Sequence, residues 1–162
     1  MAREVERKFL LDSLPLDIDT TSKITYERYF LEIGPDREVR IQRKGDDFYR
    51  EVKTTNSELG SDKEVTPLTA KEFNELRQNA IGSIKRDSYV VTGIQNASVK
   101  IYHGRFEGLI RAEVEFPSTD AASHFSPPDW FGPEITKSKL GRDSKLLRLS
   151  DAEFKSLLEG TV

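Results

Sequence analysis

Apolar and polar residues alternate along most of the first 117 residues, with the period of two that is typical of β-strands. In the opening segment, Val5 and Phe9 share one face, whereas Glu4, Glu6 and Lys8 share the other. Turn signals rich in Gly, Pro and Asp separate such segments. The pattern predicts eight strands, over residues 2–11, 24–33, 37–44, 48–54, 62–66, 83–92, 97–104 and 109–117.

Helical signals interrupt this alternation once and replace it after Pro117. The segment Thr69-Ala70-Lys71-Glu72 is a capping box, which predicts a helix just after Pro67 ends the fifth strand. A second capping box, Ser150-Asp151-Ala152-Glu153, predicts a last helix that stops near Gly160. Short helices are expected at residues 118–125 and 144–149, a rigid aromatic link at 127–132, and polar loops at 14–23 and 55–60.

This order of elements favours an α+β fold, with an antiparallel β-barrel or a strongly curved sheet, helices packed outside, and a helical C-terminus. We expect one domain over residues 1–162, with the strands mainly in 2–117 and the helical segment in 118–162. Charges of both signs share single faces of several strands. Because the helices need an apolar surface to pack on, we expect the charged faces to line a water-filled tunnel. Alternation alone leaves open which face is inside.

Composition narrows the chemistry of such a tunnel. Charged residues make up 33% of the chain and hydrophobic residues 36%, which is rich in charge for a globular domain. The net charge of −3 predicts neither nucleic acid nor a membrane surface as partner. With no cysteine and two histidines, any metal is expected to be Mg²⁺ or Mn²⁺ held by carboxylates. No apolar signal or membrane-spanning run is visible, so we expect a cytoplasmic protein.

A tunnel lined by both bases and acids suits a polyanion that arrives with a metal ion. Arg40, Lys53 and Arg86 are candidates for binding phosphate oxygens. Acids on the same faces repel one another, and a divalent cation relieves that repulsion and bridges them to phosphate. These acids are Glu4, Glu6, Glu113 and Glu115. The alternative is that the charges form ion pairs with one another or are solvated outside the barrel.

The opening Glu4-x-Glu6-x-Lys8 resembles the signature of the CYTH, or triphosphate tunnel metalloenzyme, superfamily. Further segments fall in the family's order and resemble its short bacterial members: Tyr29-Phe30-Leu31, Val39-Arg40-Ile41, Val52-Lys53, Pro67–Phe73, Ala112–Phe116 and Trp130–Thr136. The resemblance implies an eight-stranded antiparallel tunnel. It also implies one of the family's activities, which include inorganic tripolyphosphatase, thiamine triphosphatase and class IV adenylate cyclase.

The resemblance also implies roles for individual residues. The phosphate-binding bases are Lys8, Arg40, Lys53 and Arg86, together with Lys85, which adjoins a position where the family has a lysine. The metal-binding acids are Glu4, Glu6, Glu113, Glu115 and Glu134. Glu113 and Glu115 are also the catalytic candidates that orient the attacking water. Glu64 is a further candidate acid, whose face depends on the register before Pro67.

Several positions depart from the family pattern. Gln42 and Ile84 stand where the family has bases, and Ser98 and Ser138 stand where it has acids. Lys100 places a positive charge where an acid is expected, unless its side chain extends out of the tunnel mouth. Such changes are expected to weaken a second metal site of the family, to shift the substrate, or to abolish turnover while anion binding is kept.

The sequence therefore predicts a Mg²⁺- or Mn²⁺-dependent phosphohydrolase of a linear triphosphate, with inorganic tripolyphosphate as the leading substrate. The alternatives are a non-catalytic tunnel that binds polyphosphate or nucleotide, and an adenylate cyclase. The expected partner is a small molecule that contains a triphosphate, and a homodimer is considered.

Overall fold

Eight antiparallel strands close into a barrel in the computed structural model, which describes residues 2–56 and 60–160. The order around the barrel is β1-β5-β4-β3-β2-β6-β7-β8. This confirms the predicted α+β architecture with an antiparallel barrel. The strands are β1 Ala2–Leu11, β2 Ile18–Ile33, β3 Arg37–Lys44, β4 Asp47–Thr55, β5 Gly60–Leu68, β6 Gly82–Val91, β7 Ala97–Tyr102 and β8 Ile110–Glu115.

Most strand boundaries lie within two residues of the prediction, and the start of β2 differs most. β2 starts at Ile18, six residues before the predicted start at Ile24, and its register against β6 shifts between Asp19 and Ile24. Residues 19–23 are largely exposed on both faces, which removes the alternation that marks a half-buried strand. The loop expected at residues 55–60 falls in part on residues 57–59, which lie outside the described residues.

Pro67 does not end the fifth strand, and that prediction was wrong. β5 runs through Leu68, with Pro67 opposite Tyr49 of β4. On its other side, β5 pairs with β1 only as far as Lys63. Because β5 has a strand partner on one side only beyond Lys63, as far as the described residues show, the N–H that proline lacks is not needed for a second ladder.

The two helices predicted from capping boxes form, and the two short helices lie within three residues of their predicted segments. They are α1 Ala70–Leu76, α2 Thr119–His124, α3 Asp143–Leu146 and α4 Asp151–Gly160. Both capping boxes form: the Thr69 side chain accepts from Glu72 N, and the Ser150 side chain accepts from Glu153 N. Helix α1 packs on the outer face of the barrel, where the Phe73 ring meets the rings of Tyr29 and Phe48.

The segment after β8 completes the barrel along β1. Within the described residues, β5 pairs with β1 from Ala2 through Val5, and residues 132–135 bond to a later part of the same strand. Gly132 N donates to Leu10 O at 2.9 Å, and Ile135 N donates to Lys8 O at 2.8 Å. A Cβ on Gly132 would lie 2.3 Å from the Leu10 carbonyl oxygen, so glycine permits this close approach.

Apolar packing occurs in two clusters rather than along the centre of the barrel. One cluster joins the barrel to the C-terminal segment and includes Leu10, Phe30, Ile84, Tyr102, Ile135, Leu140, Leu146 and Phe154. The other covers the outside of β1, β7 and β8 and includes Phe9, Val99, Ala112, Val114 and Phe131. Apart from these clusters, the barrel interior is free for charged side chains. No helix in the described ranges is long and apolar enough to cross a membrane.

Candidate active site

The charged strand faces turn inward and line a cavity of about 330 Å³, which we call the tunnel. Its bases are Lys8, Arg28, Arg40, Lys44, Lys53, Lys63, Arg86, Lys100 and Arg142. Its acids are Glu4, Glu6, Glu38, Glu51, Glu113, Glu115 and Asp143. The question that alternation left open is therefore answered, because the apolar faces look outward under the helices.

Most of the residues proposed from sequence come together in this tunnel. The eight that line it are Glu4, Glu6, Lys8, Arg40, Lys53, Arg86, Glu113 and Glu115. They come from five strands, β1, β3, β4, β6 and β8. The register pairs Glu6 with Glu115 and Lys8 with Glu113 across β1 and β8, so these side chains are neighbours on the inner face.

Three candidates lie elsewhere. Lys85 is exposed between the inward-facing Ile84 and Arg86, so the alternation of β6 directs it outward. Glu64 is exposed on β5, whereas the preceding residue, Lys63, lines the tunnel. The register before Pro67 therefore directs the Glu64 side chain out of the barrel. Glu134 lies outside the barrel. Its carboxylate accepts from Arg7 Nη2 at 2.7 Å and from Arg7 Nε at 3.0 Å.

Asp143 is an acid in the tunnel that the strand pattern did not predict. It follows a 3₁₀ turn and begins helix α3, and its side chain is buried among arginines. It pairs with Arg28 at 2.9 Å, Arg111 at 3.1 Å and Arg86 at 3.6 Å, and accepts from Tyr102 Oη at 2.6 Å. Burial raises its pKa, but the three guanidinium groups outweigh burial and hold the pKa well below its usual range.

Lys63 and Arg28 were also missed, although both follow the alternation of their strands. Lys63 lies two residues before Val65, which also lines the tunnel, and Arg28 lies two residues after Tyr26, another lining residue. The two-residue alternation of these strands therefore already indicated that Lys63 and Arg28 face the tunnel. Nothing in the local sequence around Asp143 marks it, because its position depends on where the C-terminal segment packs.

A first ion-pair cluster surrounds Arg40. Its Nε donates to Glu51 at 2.8 Å and its Nη1 donates to Glu38 at 3.1 Å. Burial raises the pKa of Glu51, but Arg40, Arg28 and Lys63 outweigh it and lower that pKa to about 2. The chain itself therefore neutralises these charges.

A second cluster surrounds the opening motif. Lys8 Nζ lies 3.2 Å from Glu6, and Lys53 Nζ lies 3.5 Å from Glu6 and 3.8 Å from Glu4. Lys63 Nζ reaches Glu4 at 3.0 Å. Burial raises the pKa of Glu6, but Lys8 and Lys53 lower it to about 2.

Glu113 and Glu115 differ sharply although both line the tunnel. Glu113 is buried and pairs with Arg111 at 2.7 Å and Arg86 at 3.3 Å, which hold its pKa well below its usual range against the effect of burial. The side chain of Glu115 has no hydrogen bond or ion pair with any described residue. Burial raises the pKa of Glu115, and the carboxylates of Glu6 and Glu4 raise it further.

The carboxylates of the opening motif and of Glu115 are of the chemical type that binds a hard cation. No three acidic or histidine side chains within residues 2–56 and 60–160 already converge as a metal site. Glu4 Oε1 is nevertheless buried without a hydrogen bond, and Glu115 is held among like charges. Oxygen ligands of this kind are those that Mg²⁺ and Mn²⁺ prefer. The chemistry of these side chains therefore suits such an ion, which Glu4 and Glu6 could hold.

Lys100 points into the tunnel rather than out of its mouth. Only 8% of the residue is exposed, and its Nζ donates to Ser88 Oγ at 2.7 Å. The sequence-based alternative, in which the side chain extends out of the tunnel, was wrong. The ammonium thus adds to the positive charge of the interior.

Sequence comparison finds relatives over nearly the whole chain. No protein-family model matches it. An inorganic triphosphatase of Nitrosomonas europaea is 27% identical over 146 residues, which is 88% of this chain and 95% of the relative. An inorganic triphosphatase of Acetivibrio thermocellus is 28% identical over 159 residues, which is 96% of this chain and 99% of the relative.

Structure comparison agrees with the sequence relatives. The crystal structure of the inorganic triphosphatase NE1496 is similar with a TM-score of 0.65 at 25% identity, covering 93% of this chain and 97% of that one. A Hippeastrum protein with a dominant triphosphatase activity shares the fold at 11% identity, with a TM-score of 0.54 and coverage of 74% and 82%. Together with the closed barrel and its charged interior, these similarities make the chain similar in sequence and in fold to inorganic triphosphatases, which supports the resemblance to the short bacterial members of the CYTH, or triphosphate tunnel, superfamily.

Proposed function

We propose that this protein is a metal-dependent hydrolase of linear triphosphates, with inorganic tripolyphosphate as its substrate. One observation carries the proposal: nine bases and seven acids line one closed barrel, and all of them except Arg142 and Asp143 come from inward strand faces. A barrel with a merely structural role gains nothing from burying so many charges, because each ion loses hydration. Similarity to inorganic triphosphatases over nearly the whole chain supports this choice of substrate.

Four of the bases that line the tunnel bind the phosphates. Lys8, Arg40, Lys53 and Arg86 come from different strands, so they surround a linear anion from several sides. Arginine presents a planar set of donors that fits phosphate oxygens, and lysine acts as a point charge. Asp143 and Glu51 hold the arginine side chains in place, which orients them before the substrate arrives.

The acids of the opening motif account for the metal requirement. Glu4 and Glu6 would hold a Mg²⁺ or Mn²⁺ ion, which would supply positive charge to offset that of the carboxylates and the phosphates. Lys8, Lys53 and Lys63 meanwhile hold the two carboxylates on the tunnel wall.

Glu115 orients the attacking water and accepts its proton. This carboxylate lines the tunnel, has no partner among the described residues, and lies opposite Glu6 in the β1–β8 register. Its raised pKa makes it a stronger base than an ordinary glutamate. Glu113 is bound by two arginines, so we assign it to positioning Arg86 and Arg111 rather than to proton transfer.

The test is phosphate release from tripolyphosphate, ATP and thiamine triphosphate, each with Mg²⁺, with Mn²⁺ and with EDTA. We expect release from tripolyphosphate with a divalent metal and none with EDTA. The double variant Glu4→Gln, Glu6→Gln should lower release by at least about 100-fold, because the metal is no longer held. The control is Glu75→Gln, on the exposed side of α1.

Other results of this test would indicate a different function or overturn the proposal. Tripolyphosphate binding by calorimetry without product would indicate a non-catalytic binding tunnel. Cyclic nucleotide formed from ATP would indicate a cyclase. Release no greater than that of the double variant, with every triphosphate and both metals, would overturn the proposal.

A further inference from the structure

Lys100 is a buried base that the proposed function has not used. It lies on β7 with its side chain inside the tunnel, and only 8% of the residue is exposed. Its ammonium donates to Ser88 Oγ at 2.7 Å and lies 5.1 Å from the centre of the Tyr26 ring. A hydroxyl and a ring face are neutral partners, so neither cancels its charge.

The other buried bases of the tunnel all have carboxylate partners. Lys8 pairs with Glu6 at 3.2 Å, and Arg40 pairs with Glu51 at 2.8 Å. Arg28 and Arg86 pair likewise with Asp143. For Lys100, no carboxylate of the described chain lies within 4 Å.

An unpaired buried ammonium is costly to the folded protein. Burial lowers the pKa of Lys100 to about 7, Glu113 opposes this shift, and Arg86, Arg28 and Arg111 add to it. A base at this position therefore lowers the stability of the folded protein, which is expected of a group that binds a ligand.

A neighbouring donor also lacks a partner. Arg86 Nε is buried and makes no hydrogen bond. The guanidinium of Arg86 lies 5.6 Å from the centre of the same Tyr26 ring that Lys100 faces. Two cations with unused donors thus flank one aromatic ring on the β2–β6–β7 side of the tunnel.

We propose that Lys100, with Ser88 and Arg86 around Tyr26, forms a subsite for a phosphate oxygen, in which the Lys100 ammonium contacts the substrate directly. This inference rests on the proposed function, because it takes a triphosphate as the anion. The subsite binds through the chain's own charges. It therefore contributes to affinity when no divalent metal is present.

The test measures tripolyphosphate binding by calorimetry in EDTA at pH 6.5, together with melting temperatures without ligand. Lys100→Met should weaken binding about 10- to 100-fold, which is the effect expected from losing one hydrogen bond between charged groups. Without ligand it should melt at a higher temperature than wild type, because it removes an uncompensated buried charge. Lys100→Arg should bind within about tenfold of wild type, since it keeps the charge.

The matched control is Lys155→Met, on the exposed side of α4, which should bind like wild type. Equal binding by Lys100→Met and wild type overturns the inference. It is also overturned if both Lys100 variants melt lower and bind poorly, because that pattern identifies a structural lysine. If wild type neither binds nor hydrolyses tripolyphosphate, with or without metal, then the proposed function itself fails.

Discussion

Individual charges in the tunnel differ in whether the chain itself neutralises them. Glu6 and Glu113 are carboxylates held by bases, and their pKa values are lowered despite burial. Glu115 has no such partner and lies among like charges, which raise its pKa along with burial. Lys100 is the corresponding case among the buried bases. A charge left unsatisfied in the free protein is available to a substrate or to a reacting water.

Replacing Glu115 tests this distinction directly. Glu115→Gln should lower kcat for tripolyphosphate by about 100- to 10,000-fold, because the amide cannot accept the proton of the attacking water. Its dissociation constant for tripolyphosphate, measured in EDTA, should stay within about threefold of wild type, since the phosphate-binding bases remain. Glu75→Gln serves as the matched control. An unchanged kcat would remove Glu115 from the reaction.

Among the elements, the short C-terminal turn does most to complete the site. The 3₁₀ turn Lys139–Gly141 begins with Ser138, whose side chain accepts from Leu140 N, and it leads into Asp143. The Gly141 carbonyl accepts from Lys8 Nζ at 2.8 Å, which ties the turn to the tunnel wall. The turn therefore positions an acid that no strand supplies.

Gly141→Ala should destabilise the protein by about 2 kcal/mol or more. A Cβ at this position would lie 2.0 Å from the Ile135 carbonyl oxygen, so the backbone has to move. Urea unfolding measures the loss, and phosphate release should fall with it because Asp143 shifts. Gly160→Ala is the matched control, with nothing within 4 Å of its added Cβ, and it should cost less than about 0.5 kcal/mol. Equal stability of the two variants would contradict this account of the turn.

The whole molecule is a barrel with its charges inside and its apolar packing at one end and outside. Two apolar clusters bind the C-terminal segment to the strands, while the barrel interior depends on ion pairs. Carboxylates in such pairs contribute to folding only while they are ionised. The stability of the barrel is consequently tied to pH.

Acid should unfold the barrel through these interior carboxylates. The pKa of Glu51 is lowered to about 2 in the folded protein, below an unfolded value near 4.5. Its contribution is therefore complete above pH 4.5 and is lost as the pH falls toward 2. At about 1.4 kcal/mol per pKa unit, this amounts to about 3 kcal/mol from Glu51 alone.

Urea unfolding at several pH values between 7 and 3 measures this loss. Wild type should lose stability steadily below pH 4.5. Glu51→Gln should be less stable than wild type at pH 7, because Arg40 loses a partner, and should lose less on acidification. Parallel pH curves for the two proteins would show that Glu51 does not take part.

Local patterns in the sequence determined where the strands lie, which residues share each face of a strand, and where the helix caps form. Strand alternation comes from backbone geometry, so Glu4, Glu6 and Lys8 had to share a face whatever surrounded them. The capping boxes at Thr69 and Ser150 likewise depend on neighbouring residues alone. These features formed as predicted because no distant contact opposes them.

The tertiary structure alone decided which face is inside, and which charges find partners there. Closure of the barrel turned Lys63 inward and Glu64 outward, and packing of the C-terminal turn brought Asp143 to three arginines. Pairing along one side only allowed β5 to pass through Pro67. Each of these outcomes depends on residues far apart in the chain, whose distances are fixed only when the sheet closes.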